Sequence, residues 1–328
     1  MAVTMAEISK LRTMTGAGMM DCKNALTEAE GDFDKAVEII RKKGQAVAAK
    51  RSDREASEGC VLAKANGDFA AVLALKCETD FVAKNEDFIA LTRSILEVAM
   101  EQKPATLEDL KAAAIDGRTV AELVTDRSGI TGEKMELDYY ETVSGGATYA
   151  YIHPGNKLAT VVSVAEANAD LDVVKGIAMQ AAAMSPIALD ENAVPQSVKD
   201  NELQVAIDKT KLEQVSKAVE VALKKAGFNL YISESEEHLN EGIMKGSITE
   251  AQAEEIRQLK ANVSEAATAN MNMQMVENIA KGRMTKFFKE STLLEQTYIM
   301  DNKTPVKDVL KAAGITATGF KRVTLNQE

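Results

Sequence analysis

Residues Gly59 to Asn85 read GCVLAKANGDFAAVLALKCETDFVAKN. Two apolar runs flank Asn66-Gly67, a pair that suits the positive-φ residues of a two-residue hairpin turn. Gly59 to Lys76 therefore reads as two antiparallel strands. Asn85 stands where it can cap a helix whose apolar residues Phe88, Leu91, Ile95 and Val98 recur at helical spacing. Between strand and helix lies Thr79-Asp80-Phe81-Val82-Ala83-Lys84-Asn85, a short corner with an aromatic beside a carboxylate. Corners of this kind display side chains to partners from a rigid scaffold. Phe81 has two readings here, a plug between β-hairpin and helix or a displayed side chain, and a lone Phe is more often core.

The chain repeats this unit once. Glu58 to Val61, the Asn66-Gly67 turn, Ala70 to Lys76 and the helix from Asn85 form a β-β-α unit. Ser144-Gly145-Gly146, a strand from Thr148 to His153, the turn Pro154-Gly155-Asn156, a strand from Ala159 to Ala165 and a helix from Leu171 through Met184 form another. The closing segments echo each other as well. Thr119 to Val124 and Gly129-Ile130-Thr131 precede a strand at Met135 to Thr142; Thr304 to Val309 and Gly314-Ile315-Thr316 precede one at Phe320 to Leu325. Each half is expected to be a three-stranded antiparallel sheet with helices on one face, an α+β unit. Two copies make a duplicated domain rather than a solenoid. The second copy has Glu166 to Asp170 where the first has its Asp-Phe corner, which favours a specific task for Asp80 and Phe81.

Three short helices are expected ahead of the repeat. Ile8, Leu11 and Met14 mark the first, after Thr4 or Glu7; Met19, Cys22, Ala25 and Leu26 mark the second. Phe33, Ala36, Val37 and Ile40 mark the third, capped by Asp32 and closed by Gly44. Adjacent Met19 and Met20 point about 100° apart on a helix and cannot both face one small core. One is expected at the surface, where a flexible thioether suits binding. Residues 46–57 read as a charged, Ala-rich connector, helical and mobile. Within the second copy, Val198, Val205, Leu212, Val219 and Ala226 recur every seven residues, with Val215 and Ala222 between the later ones. Ile256, Leu259, Val263, Ala266, Asn270 and Met273 return in an a/d pattern. Two stripes separated by Gly227 to Gly246 predict an antiparallel coiled-coil hairpin, with Met271, Met273 and Met275 in its seam. The expected division is residues 1–45, the connector 46–57, a first core repeat 58–143 and a second 144–328, interrupted by the hairpin at about 190–280.

Composition narrows the chemistry. With 45% hydrophobic and 27% charged residues over 328 positions, the chain is globular and long enough for two or three cores. A balance of 39 basic against 50 acidic residues makes phosphate neutralisation a poor basis for function, so no nucleic-acid partner is expected. Cys22, Cys60 and Cys77 are too few and scattered for a disulfide framework and fit a reducing compartment. Met1 to Ser9 lacks a basic region followed by an apolar run, and no apolar stretch approaches ~18 residues. A cytoplasmic setting without membrane contact is expected. His153 and His238 are the only histidines, no phosphate-loop motif occurs, and no carboxylate spacing singles out an acid-base pair. Lys286-Phe287-Phe288-Lys289 lacks the surrounding basic field of a nucleic-acid platform. These residues describe a binding protein with no active site and no cofactor; a scaffold or chaperone is the rival class to a regulator of a partner.

Four stretches resemble the bacterial elongation factor Ts family: Leu11-Arg12 with Thr15 to Lys23; Thr79 to Lys84; Ile177-Ala178-Met179; and Gly282-Arg283-Met284 with Lys286-Phe287. The resemblance spans nearly the whole chain except the helical hairpin. It implies a ubiquitin-associated-type three-helix module, a duplicated core and a coiled-coil hairpin, working as the guanine-nucleotide exchange factor for elongation factor Tu. It further implies that the corner Thr79, Asp80, Phe81 and Val82 enters the partner's GTPase domain near its magnesium site, wedges between helices and releases GDP. Arg12, Met19, Met20 and Lys23 would grip the same domain, and His153, Ile299 and Met300 would make further contacts. Two departures are expected: a hairpin longer than in the enterobacterial type, and no C-terminal helical extension of the kind some members carry.

Overall fold

A computed structural model describes residues 3–326; positions 1 and 328, the ends of the division expected above, lie outside the described residues. The chain divides into two compact units, Met1–Leu189 with Gln296–Glu328, and Asp190–Glu295. The class is α+β, with antiparallel sheets.

The first unit opens with α1 (Met5–Thr15), α2 (Met19–Glu28) and α3 (Phe33–Lys50). Thr4 and Glu7 form a reciprocal capping box on α1, and Asp32 accepts the N–H groups of Asp34 and Lys35 at the head of α3. Ile8, Leu11, Cys22, Ala25, Leu26 and Ala36 make a small core. Met14, the third apolar residue marking α1, is exposed. Met19 packs against the core while Met20 is 64% exposed.

The first repeat follows as β1 (Glu58–Asn66), β2 (Phe69–Cys77), α4 (Asp80–Ala83), α5 (Glu86–Gln102), α6 (Leu107–Ala112), the short pair β3 (Ala114–Ile115) and β4 (Arg118–Thr119), α7 (Val120–Thr131) and β5 (Met135–Ser144). The second begins with β6 (Ala147–Ile152), β7 (Leu158–Val164) and α8 (Leu171–Met184). The chain then runs through α9 (Gln196–Lys225), α10 (Leu230–Ser233), α11 (Glu236–Met244), α12 (Glu250–Ala269) and α13 (Met273–Ser291) before α14 (Val306–Ala312) and β8 (Ala317–Thr324).

One sheet has the order β1-β2-β5 and another β6-β7-β8, all neighbours antiparallel. Residue parity along β1 and β2 assigns their two faces. Cys60, Leu62, Leu73, Leu75 and Cys77 meet the helices through Phe88, Ile95 and Val124. Val61, Ala63, Ala70, Val72 and Ala74 meet Ala159, Val161 and Val323 of the second sheet. Alanine and valine dominate where sheet meets sheet, so the backbones approach closely and β2 is covered on both sides.

Gly44 does not close α3. Its Cα packs on Gly129, inside α7, and a Cβ built on Gly129 would lie 2.2 Å from the Gly44 Cα. The helix therefore continues to Lys50, taking in the first part of the connector. Gly129, which the sequence matches to Gly314, lies inside α7. The glycine that ends α7 is Gly132, at φ 73°, matching Gly314 at φ 65° after α14. The two copies align through these left-handed glycines, each three residues before its closing strand, and not through Gly129 and Gly314.

In the second unit the return leg is not one helix. It breaks between α12 and α13, so α9 packs on one partner and then another. Its buried residues are Ala206, Thr210 and Leu223, whereas Val205 and Leu212 of the seven-residue stripe are exposed. A strict seven-residue repeat drifts about 20° per heptad around a straight helix, and α9 does not follow one partner long enough to correct it. Met273 and Met275 are also exposed; Val276 and Ala280 take the buried positions on α13. Between Gly227 and Gly246 lie α10 and α11, whose Leu230, Ile232 and Leu239 join Leu223 and Ile256 in a separate cluster.

The crossing of α3 over α7 gives a direct test. Gly129→Ala should lower the chemical-denaturation midpoint, at a cost of about 1–3 kcal/mol for an overpacked contact. An unchanged midpoint would contradict the close approach.

Candidate functional site

The corner between β2 and α5 is a capped helical turn. Thr79 takes an extended conformation and its hydroxyl oxygen accepts the Val82 N–H, starting α4. Asn85 then accepts the N–H groups of Asp87 and Phe88, starting α5. Two caps in seven residues fix the path of the chain. Val82 and Ala83 turn into the core of the first repeat, while Phe81 is 84% exposed. Phe81 is not a plug. Beside it the Asp80 carboxylate accepts from Lys84 at 2.7 Å. That hydrogen bond holds its carboxyl below the usual range, with a smaller contribution from the Lys157 charge, so a carboxylate accompanies the ring at neutral pH.

Two further carboxylates hold the corner from outside it. Glu133, just after α7, accepts the Glu78 N–H at 3.2 Å, the Thr79 N–H at 3.1 Å and the Thr79 hydroxyl at 2.6 Å. Glu78 returns the arrangement by accepting the Lys134 N–H at 2.7 Å. Glu78 also receives Arg54 at 2.9 Å and Arg51 at 3.4 Å, from the residues that follow α3. The connector is thus anchored to the corner at this point, against the expectation of mobility. The Glu78 side chain is only 14% exposed, and the Lys134 N–H, then Arg54 and Arg51, hold its carboxyl below the usual range.

The other expected contact residues are spread over the first unit. Arg12 on α1 and Met20 and Lys23 on α2 are exposed, and Met19 is half-buried. His153 follows β6 in an exposed turn, its Nδ1 3.0 Å from the Tyr151 hydroxyl. The same turn reaches the first repeat: the Asn156 carbonyl accepts the Val61 N–H, and Lys157 pairs with Glu58 at 2.8 Å. Ile299 and Met300 lie in a loop fixed by the buried side chain of Gln180. Its amide oxygen accepts the Ile299 N–H at 2.8 Å and its amide nitrogen donates to the Gln296 side chain and the Thr297 carbonyl. Gly176 makes room for that loop, since a Cβ there would lie 2.0 Å from the Tyr298 hydroxyl. The structure therefore brings Thr79, Asp80, Phe81 and Val82 together, links them through Glu78 to the helix ending the N-terminal module, and leaves Ile299-Met300 on a separately braced loop. Among the described residues no cluster of three His, Cys, Asp or Glu side chains could hold a metal, and no helix is long and apolar enough to cross a membrane.

The family model described as elongation factor TS matches residues 78–327. The chain belongs to the elongation factor Ts family. Its first matched residue is Glu78, so the corner and both supporting carboxylates fall inside the matched region. Proteins named elongation factor Ts are similar over their whole length and that of this chain: 61% identical in Phocaeicola vulgatus, 57% in Bacteroides thetaiotaomicron and 46% in Porphyromonas gingivalis. Coverage of the full chain takes in residues 1–77, ahead of the family-model match, and the whole of the long helical unit, of which sequence reading matched only Gly282-Arg283-Met284 with Lys286-Phe287. Elongation factor Ts proteins work in translation elongation, and that is the process to which this chain belongs.

Glu78, Glu133, Gln180 and Gly176 escape a reading of the sequence. Each acts through a partner more than 50 residues away, as Glu133 does with Thr79 or Gln180 with Ile299, and no local pattern marks such pairs. Glu78 gives a pH test with a definite sign. Its folded pKa is depressed, so its stabilisation is present above the ordinary value of about 4.3 and fades as pH falls through the folded pKa. In a carboxyl NMR titration Glu78 should titrate below about 4.3, and Arg54→Ala should move it upward. A midpoint in the ordinary range, unmoved by Arg54→Ala, would contradict the anchoring.

Proposed function

We propose that the chain is a guanine-nucleotide exchange factor for elongation factor Tu, acting by binding and without covalent chemistry or a cofactor of its own. The observation that carries this is Phe81: a phenyl ring 84% exposed, on a doubly capped turn, with an ionised Asp80 beside it. An exposed aromatic costs burial in the free protein and regains it only in a partner. In the proposed step Phe81 inserts between helices of the partner's GTPase domain. Asp80 then brings negative charge toward the magnesium shell, and the loosened ion lets GDP go. Thr79 and Val82 fix the depth of the insertion.

Burying Phe81 in the partner supplies about 1.5–3 kcal/mol. Weakening nucleotide ten-thousand-fold requires about 5.5 kcal/mol of differential affinity. One ring is too little, and the coupling is reciprocal, so the rest must come from contacts that favour the nucleotide-free partner. Arg12, Met19, Met20 and Lys23 on the N-terminal module, His153, and Ile299 with Met300 are proposed for that grip. In this reading residues 1–45 form a ubiquitin-associated-type module, 58–143 and 144–328 the duplicated core, and the second unit a coiled-coil arm. A cytoplasmic setting follows from the partner, and neither nucleic acid nor membrane takes part.

Stopped-flow release of fluorescent GDP from elongation factor Tu tests the proposal. The wild-type chain should accelerate release, and Phe81→Ala should slow it by at least about tenfold, the loss of one buried ring. Binding indifferent to GDP and to Phe81→Ala would point to a scaffold instead.

A further inference from the structure

Comparison of the two repeats separates what builds the scaffold from what was added to one copy. Glu78, after β2, accepts the N–H of Lys134, the residue before β5. Glu166, after β7, accepts the N–H of Thr316, the residue before β8, at 2.8 Å. This carboxylate brace is therefore duplicated. Aligned through Gly132 and Gly314, the residue between the glycine and the braced N–H is Glu133 in one copy and Ile315 in the other. Ile315 is a buried apolar residue. Glu133 is a half-buried acid whose two oxygens take three donors from Glu78 and Thr79. The second copy has no Asp-Phe corner, and it has no acid at the matching position.

We infer that Glu133 is a positioning residue for nucleotide exchange: it holds Glu78 and Thr79 so that Asp80 and Phe81 leave the sheet already aimed outward. This rests on the exchange reading and names a residue through which the corner works. Glu133 is itself fixed, since its carbonyl accepts the hydroxyl of buried Ser128 on α7. Its Oε1 takes the Thr79 hydroxyl hydrogen, leaving that oxygen's lone pair for the Val82 N–H, so clamp and helix cap run through one atom. Without Glu133 two adjacent N–H groups and one hydroxyl lose their acceptor together. The turn then has no reason to keep one direction, and the ring must be ordered during the encounter rather than before it.

The test uses the full chain with elongation factor Tu and fluorescent GDP, recording the maximal release rate and the half-saturating concentration. Glu133→Ala should lower the maximal rate by about 10- to 100-fold, the scale of a misplaced reacting group. The half-saturating concentration should change far less, because the other contacts persist. Glu133→Gln keeps an oxygen for the two N–H groups and can donate to the Thr79 hydroxyl, so it should restore most of the rate. In a Phe81→Ala background Glu133→Ala should cause no further loss, because there is no ring left to aim. Amide exchange at Thr79 reads the clamp independently of any partner and should accelerate in Glu133→Ala. An unaltered rate in Glu133→Ala, or an undiminished loss in the Phe81→Ala background, would overturn the inference. Phe81→Ala exchanging like wild type, with Thr79 still deprotected by Glu133→Ala, would instead overturn the exchange reading and leave the clamp standing.

Discussion

A phenyl ring held in water is the constraint around which the first unit is arranged. Phe81 forgoes about 1.5–3 kcal/mol of burial, so apolar packing would draw it inward if the chain allowed. Hydrogen bonds prevent this. Thr79 and Asn85 cap successive turns, Val82 packs against the core and Ala83 is buried in it, and Glu133 holds Glu78 and Thr79, where the chain enters the corner, from a helix end more than 50 positions away in sequence. The ring stays out because every neighbour along the chain is already committed elsewhere.

The same polar junction carries a longer connection. Glu78 receives Arg51 and Arg54, so the helix that ends the N-terminal module finishes at the corner. That helix also crosses α7 through two glycines, and α7 leads directly to Glu133. Module, corner and first repeat are tied by short polar and backbone contacts. A partner gripping both the module and the corner meets surfaces whose spacing is set beforehand, which lowers the ordering cost of binding.

Much of this was legible because its causes are local. The β1-β2 hairpin, whose two-residue turn is Gly67-Asp68, one position past the expected Asn66-Gly67 because Asn66 still pairs with Phe69, the caps at Thr4, Asp32 and Asn85, and two three-stranded sheets all follow from neighbouring residues and short periodicities. Gly44 looks like a helix end, and Gly129 like the counterpart of Gly314, because a glycine used for close contact looks the same in sequence as one that ends a helix. The seven-residue stripe on α9 misled because the return leg changes helices, and periodicity cannot say which partner a face meets. Phe81 itself was ambiguous: its type favours the core, and only the commitment of its neighbours decides for the surface. The acid clamping Thr79 was invisible, since its meaning depends on a partner brought close only by folding.

The aromatic-acidic turn points outward before any partner arrives. Replacing Phe81 with a photoreactive benzophenone amino acid and irradiating with nucleotide-free elongation factor Tu tests it most directly. The cross-link should fall in the GTPase domain beside the magnesium site and weaken when GDP and magnesium are added. Cross-links confined to this chain's own core, or to another domain of elongation factor Tu, would contradict it.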